Sequence, residues 1–533
     1  MRMRSGSGVT IIAVSALLTL LIGCTQATGG GSPVANQTLV IDKTFDLKSA
    51  DPAHMFDSTG QLIDHALYDP LLSYSNGDVT KPIPWVASSY TASSDARVYT
   101  FPLRHDVKFS DGTALTSADV AFSFNRLINL KENGSYVLDG ITVSTPDPYT
   151  VVLTSSTPNP ALPSIVTSPF LSILNSKVVK AHGGVDTQGA DKTDQAQTFL
   201  DENSAGSGPY ILQSFSIATE VVLKANTSYW GPAKPKFGKV VIRNVQTSAS
   251  QLLSVQRGKN EIALDLSPAD VKGLTSGQGV NVSYAAAANT IYMFLHLNPQ
   301  VSTVTSNSHI LNAVRYAIDY TGLVQLAGSG ASVLPGLVPS IFLGALPASD
   351  ALKTDVAKAK AEVSASGITK PSFTISYPTD YFVNGVGFKI IAEKVQADLA
   401  TVGITVNLDG APFITYVTPY RAGKRPAGLA VWAADYPDPA DYLTFFPGGA
   451  VAKRVGLTAG SDPPLDAIVN QVLAEPDTAR RAQLYQDIQR IMNQRSSFIP
   501  LVQTGQVVVA SSNLTNTTFN ITWELDLQAI DSK

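Results

Sequence analysis

The chain has 533 residues, well beyond the about 250–300 at which a single hydrophobic core stops growing, so more than one lobe is expected. Only 15% of residues are charged and the formal net charge is −4; with no basic stripe, nucleic acid is not an expected partner. Cys24 is the single cysteine, which excludes a disulfide within one copy.

Residues 1–23 read as an export signal. Arg2 and Arg4 supply a positive start, and the apolar run 9–22 is too short and wrongly flanked for a membrane span. The run ends in Leu21-Ile22-Gly23-Cys24, which resembles the bacterial lipobox; the resemblance implies cleavage before Cys24 and lipidation of its thiol. A chance Leu-x-Gly-Cys and an uncleaved anchor helix are the alternatives. The position of the only cysteine, at the cleavage point, favours the lipobox. Residues 24–37 are rich in Gly, Ser, Thr and Ala and cannot bury enough apolar area to order themselves, so they read as a flexible tether. Without Arg2 and Arg4, 36 basic residues face 42 acidic ones, a mature net charge of −6.

The body begins with an alternating strand at 37–42, a loop at 51–56 that holds Met55 and Phe56, and a helix at 61–72 on the spacing of Leu62, Ile63, Ala66 and Leu67. The run 107–122 predicts strand positions, a hairpin turn at Asp111-Gly112, and a helix capped by Thr116 or Ser117 with Asp119 in its first turn. A hairpin around Pro146-Asp147-Pro148 spans 142–153, and 181–196 reads as a surface connection. Gly206-Ser207-Gly208-Pro209-Tyr210 lacks the strand and Gly-Lys-Ser/Thr context of a phosphate cradle. Strand–helix–strand follows over 242–264, then an apolar strand at 292–298 that Pro299 ends. Helices are expected at 310–320, with Arg315 and Asp319 as an i,i+4 pair, and at 355–366, 388–402 and 479–492. Strand returns at 498–502 and 506–509.

One stretch concentrates chemistry: Trp432-Ala-Ala-Asp435-Tyr436-Pro437-Asp438-Pro439-Ala-Asp441-Tyr442-Leu443. Pro437 and Pro439 exclude a regular helix, leaving a loop. A carboxylate there, beside Trp432 and Tyr436, has the means to bind a cationic group by charge and ring contact. The alternative is a turn acid that bonds only its own backbone. Catalytic constellations are missing. The six histidines form no His-Glu-x-x-His and there is no Gly-x-Ser-x-Gly elbow, so no catalytic residue, metal or cofactor is expected. A secreted hydrolase using paired Asp435, Asp438 or Asp441 is the reading from a different class.

Trp432-x-x-Asp435-Tyr436-x-x-Pro439, the Ala66-Leu67-Tyr68-Asp69-Pro70-Leu71-Leu72 segment, Pro82-x-x-Trp85, the run 107–122, Gly206-Ser-Gly-Pro-Tyr210 and Asn226-x-x-Tyr229-Trp230 together resemble the family 5 extracytoplasmic solute-binding proteins of ABC transporters. Oligopeptide- and dipeptide-binding proteins belong there. The resemblance covers 37–512 and implies an α/β fold of the periplasmic-binding-protein-like type II (cluster C) kind, bilobal with an extra inserted domain and hinge-connected. Expected boundaries are 38–73, 204–297 and 505–533 for lobe I, 74–203 for the inserted lobe II, and 298–504 for lobe III. The family implies a peptide ligand whose α-ammonium pairs with Asp435, with Trp432, Tyr436, Met55 and Phe56 around it. It also implies delivery to permease and ATPase subunits, and a monomer lipid-anchored to the outer face of the cell membrane. Haem, metal-chelate, opine and oligosaccharide ligands occur in the same family. Arg421, with Lys424 and Arg425, is the candidate for the peptide carboxylate; a solvated basic turn is the alternative. Cys24→Ala is expected to move the protein out of the membrane fraction or leave it unprocessed. Unchanged partitioning and gel migration would overturn the lipobox reading.

Overall fold

The computed structural model describes residues 37–533 apart from Asn76 and Gln278; the signal, Cys24 and nearly all of the tether lie outside the described residues. Ten strands carry the main sheet: β1 (Thr38–Lys43), β2 (Tyr210–Phe215), β3 (Glu220–Ala225), β4 (Lys239–Asn244), β5 (Glu261–Ala263), β6 (Val280–Leu295), β7 (Ser372–Pro378), β8 (Thr405–Ala411), β9 (Ala427–Trp432) and β10 (Phe498–Ser511). Their order is β8-β7-β9-β6-β10-β5-β1-β4-β3-β2, with the short strand Ser332–Val333 also on β10. β6 and β10 are long and antiparallel, and they run through both halves of the sheet. Their ladder breaks between Ala286 and Thr290, a bulge that releases three residues from pairing. Gly505 sits beside this break, where an added Cβ would lie 2.4 Å from the Gly330 carbonyl carbon, so only glycine admits that close approach.

A smaller antiparallel sheet is ordered Thr91–Ala92, Val98–Pro102, Thr150–Ser155, Ile141–Asp147. The helix Ser117–Leu130 packs beneath it, closed at its N-terminus by a capping box between Thr116 and Asp119. Gly112 takes the left-handed φ of 87° that the Asp111-Gly112 turn requires. Among the described residues no helix is long and apolar enough to cross a membrane.

Two expected helices end differently. The first runs Ser58–Leu67, capped by Asp57, and turns extended at Tyr68, because Pro70 cannot continue it; Leu72–Ser75 is strand. The second breaks into Ser308–Ala317 and Tyr320–Ala327, since Asp319 serves as N-cap of the latter. The expected Arg315–Asp319 pair is therefore not made: Asp319 meets Lys394 at 3.0 Å, and buried Arg315 bonds Asn312 Oδ1 and the Ser496 carbonyl. The supposed surface connection also turns inward. Asp194 is pulled onto the Arg126 guanidinium, which donates to Asp194 Oδ2 at 2.8 Å and Asp51 Oδ1 and Oδ2 at 2.7 and 2.6 Å. Arg126, Asp51 and Asp194 are all essentially inaccessible to solvent, a charge fork satisfied on both sides.

The sequence motifs converge on one atom group. The buried Asp69 carboxylate accepts from Trp85 Nε1 (2.7 Å) and Tyr229 Oη (3.4 Å) on Oδ1, and from Ser207 Oγ (2.7 Å) and Trp230 Nε1 (2.9 Å) on Oδ2. The glycines flanking Ser207 allow it: a Cβ on Gly206 would stand 2.1 Å from the Leu67 carbonyl oxygen. Close approach, not phosphate binding, is their use. Asp69→Ala would leave these donors unpaired in the interior, so the unfolding free energy should fall by roughly 3–5 kcal/mol. Urea denaturation followed by tryptophan fluorescence checks this; a loss below about 1 kcal/mol would mean the donors find other partners.

Candidate functional site

β9 is an apolar strand paired to β6 and β7, and it delivers the chain to the 432–443 loop at the edge of the β6–β10 bulge. The three acids of the loop meet different fates. Asp438 caps the 3-10 turn Pro439–Phe445 by accepting from Ala440 N at 2.9 Å, and its carboxylate takes two bonds from Arg481 of the helix Thr478–Arg495. Asp441 is buried inside the loop, accepting from Trp432 Nε1 at 2.7 Å, from the Asp435 amide at 3.3 Å and, on Oδ1, from the Tyr136 hydroxyl at 3.4 Å. Burial and the neighbouring Asp435 push the Asp441 carboxyl well above the usual range. Asp435 alone presents its carboxyl to a cavity, with one partner on Oδ2, the Tyr136 hydroxyl. Burial raises the Asp435 carboxyl to about 6, and the Tyr136 bond works in the opposite direction.

The cavity measures about 700 Å³, in the range that takes small ligands. The β6–β10 bulge forms part of its wall through Ala287, Ala288 and Asn289; the carbonyls it releases from the ladder are taken by side chains, Ala287 O by Gln503 Nε2 at 2.9 Å and Ala288 O by Tyr442 Oη at 3.1 Å. A hairpin, Phe382–Val383 with Val386–Gly387, closes another side. Its turn residues Asn384 (φ 49°) and Gly385 (φ 78°) are both left-handed, the requirement of a two-residue hairpin turn. Asn384 ties the hairpin to the bulge: its Oδ1 accepts from Asn289 Nδ2 at 2.8 Å and Thr504 Oγ1 at 2.6 Å, and its amide donates to Gln506. Phe382 is 63% exposed, an apolar surface held toward the opening.

The charged wall holds one ammonium, Lys43, and six carboxyl groups: Asp46, Asp57, Asp265, Asp380, Asp435 and Glu524. Lys43 donates to Glu524 at 2.8 Å and to Ser58 Oγ at 3.1 Å. Burial alone would lower its ammonium, but Glu524, Asp265 and Asp46 hold it above its ordinary value. Burial pushes Glu524 up to about 7 against the opposing pull of Lys43. Among the described residues no group of three or more His, Cys, Asp or Glu is arranged to hold a metal ion.

The profile described as bacterial extracellular solute-binding proteins, family 5 middle, matches residues 81–453. The chain belongs to that family. It is thus a substrate-binding protein of ABC transport, exported, in a family of transporters rather than enzymes. The probable D,D-dipeptide-binding periplasmic protein DdpA of Escherichia coli (strain K12) is 27% identical over 515 residues, spanning 94% of this chain and 95% of the relative. HbpA2 from Haemophilus parasuis shares the fold with a TM-score of 0.79 at 22% identity, over 93% of this chain and 100% of that one. DppA from Helicobacter pylori, solved with the peptide STSA, gives 0.74 at 22% identity, over 93% and 98%. The fold of this family 5 protein is accordingly mixed α/β and bilobal.

Of the residues expected at the site, Asp435 and Phe56 line the cavity. The others stand elsewhere in the structure. Trp432 turns its indole inward to Asp441 and edge-on to Phe445 (5.4 Å, 80°). Tyr436 packs against the core beneath the small sheet, and Met55 is buried in that core, against Gly60. Arg421 ends the helix Phe413–Arg421 and is exposed, off the wall; Arg425 is paired with Asp409. Sequence reasoning missed Tyr136, 299 residues from its partner, and the Lys43–Glu524 pair, 481 apart. The Asn384-Gly385 dipeptide did carry a readable hairpin signal.

Tyr136→Phe removes the one bond that favours the charged form of Asp435. The Asp435 carboxyl should then titrate above 6 in the ligand-free protein. Carbon-13 NMR of labelled aspartate carboxyls, with Asp435→Asn for assignment, reads the shift; an unchanged or lower value would mean the hydroxyl does not bond there in solution.

Proposed function

We propose that this protein is the lipid-anchored substrate-binding subunit of an ABC importer, and that it captures peptides by closing its lobes over the cavity, with Asp435 holding the α-ammonium. The observation that carries this reading is the Asp435 carboxyl itself. It is the one acid of its loop that is not consumed by the scaffold, and it stands on the wall of a cavity of about 700 Å³. An ammonium brought there would restore the counter-charge that burial withholds, which is where an ion pair is strongest. Peptide binding is also what the names of the relative DdpA and the Helicobacter pylori DppA complex say of those proteins. We read 38–73, 204–297 and 505–533 as one lobe, 74–203 as its insertion and 298–504 as the other lobe, with closure about β6 and β10, followed by delivery to a membrane permease and its ATPase. Cys24 would tether this cycle to the outer face of the cell membrane.

Asp435→Asn keeps the shape and removes the charge. Peptide affinity should fall by roughly 2–5 kcal/mol, the range for truncating one side of a buried charge pair. An N-acetylated peptide should bind the native protein about as poorly as the free peptide binds the variant, and the two changes should not add. Isothermal calorimetry on this two-by-two set is the measurement. Independent losses would remove Asp435 as the amine's partner, and an amine-free ligand that binds both forms equally would move the protein to another ligand class.

A further inference from the structure

The cavity wall carries two sets of acids. In one, Asp435 responds to burial and to Tyr136. In the other, Lys43 donates to Glu524 and to Ser58 Oγ, which itself donates to Asp46; Asp57 caps the same helix start and Asp265 holds the amide of Thr44 next to Lys43, so these five groups form a second cluster. One positive charge against four negative ones leaves −3 there, and the whole wall, one against six, reaches −5 once every group is ionised; burial holds Asp57 and Asp435 up to about 6 and Glu524 up to about 7, so a bound cation is what draws the last of them into charge. Among the described residues the one ammonium on the wall is already taken by Glu524, and no arginine or histidine lines the cavity.

The members of the second cluster differ in what they have left to give. Asp46 is saturated, accepting the amides and hydroxyls of both Ser58 and Thr59. Asp57 is spent on the amides of Gly60 and Lys48. Asp265 uses Oδ2 for the Thr44 amide at 2.6 Å. Glu524 gives Oε1 to Lys43, while its Oε2 is buried and has no hydrogen-bond partner. Glu524 also holds a left-handed backbone, φ 61°, a conformation a non-glycine residue keeps only where its surroundings enforce it. A cation brought beside it by the ligand would supply the counter-charge that burial withholds and draw the Glu524 carboxyl back toward its ionised form. A bare carboxylate has no donor to offer and meets like charge.

We propose that the cavity selects net-cationic peptides, with the α-amine at Asp435 and a second cationic group, from a basic side chain, at Asp265 and Glu524, and that it disfavours a free terminal carboxylate. This rests on the assignment of the amine to Asp435. It adds the second contact and the net charge of the ligand.

The experiment is calorimetry of the full-length protein, freed of carried-over ligand, with Ala-Ala-Ala, Ala-Ala-Ala-amide, Ala-Ala-Lys-amide and Ala-Ala-Glu. Affinity should rise in the order Glu, free acid, amide, Lys-amide, by roughly tenfold per unit of charge at low salt, and the spread should shrink as salt is added. Asp265→Asn keeps an acceptor for the Thr44 amide and removes a charge, so the ratio of Lys-amide to free-acid affinity should fall about tenfold. Glu524→Gln should reduce the same ratio, with a melting curve to confirm that it folds. Equal binding of all four peptides, each still weakened by Asp435→Asn, would overturn the charge selection and leave the amine site standing. Binding insensitive to Asp435→Asn, or no binding of any peptide, would overturn both.

Discussion

Donors from three separate stretches of chain end on the carboxylate of Asp69, and much of the architecture hangs from that point. Trp85 brings the entry to the small sheet, Ser207 the crossing back toward β2, and Tyr229 with Trp230 the turn before β4. A buried carboxylate without a cation is stable only when its lone pairs are covered, and here each oxygen takes two donors. The interaction lies outside the cavity yet fixes it. Asp69 follows the helix Ser58–Leu67, and the opposite end of that helix, with Phe56, Asp57 and Ser58, is cavity wall.

The 432–443 loop shows how surroundings assign different chemistry to one residue type. Asp438 meets a guanidinium and becomes structural, while Asp441 meets an indole and an amide inside the loop and is driven toward its neutral form. Asp435 is left facing space because the loop spends its other donors first. It meets that space beside the point where the β6–β10 ladder lapses between Ala286 and Thr290, and Ala287, Ala288 and Asn289 form part of the wall.

Much of this was legible in the sequence, and the limit has a physical cause. Local signals worked: the capping box at Thr116, the Gly112 turn, and the loop forced by Pro437 and Pro439 are each decided within a few residues. Asp435 is singled out in the sequence because its loop carries a family pattern. Trp432 and Tyr436 were placed on the ligand side because aromatic residues next to an acid read alike whether they face a cavity or a core; Asp441 and the small-sheet core decide that question, and neither is local. Arg421 is a candidate by its charge and its place just upstream of the Trp432 loop, but the helix that carries it leaves the side chain exposed and off the cavity wall. Tyr136, Lys43 and Glu524 acquire their roles only through contacts hundreds of residues apart, which no periodicity encodes.

The Arg126 fork bears on how such proteins can be recombined. Its counter-ions lie on both sides of it in sequence, Asp194 downstream and Asp51 upstream, before the small sheet begins. A chimera that transplanted 74–203 into a relative's frame would carry the guanidinium and one carboxylate and leave the other behind. Wherever that frame has no acid in the place of Asp51, it would bury a charge with half its partners missing, at a cost of roughly 3–5 kcal/mol, a large part of the stability of many domains. A transplant that keeps the fork whole therefore has to start ahead of residue 51, in the stretch that also builds the cavity wall. Scaffold and specificity are inherited together.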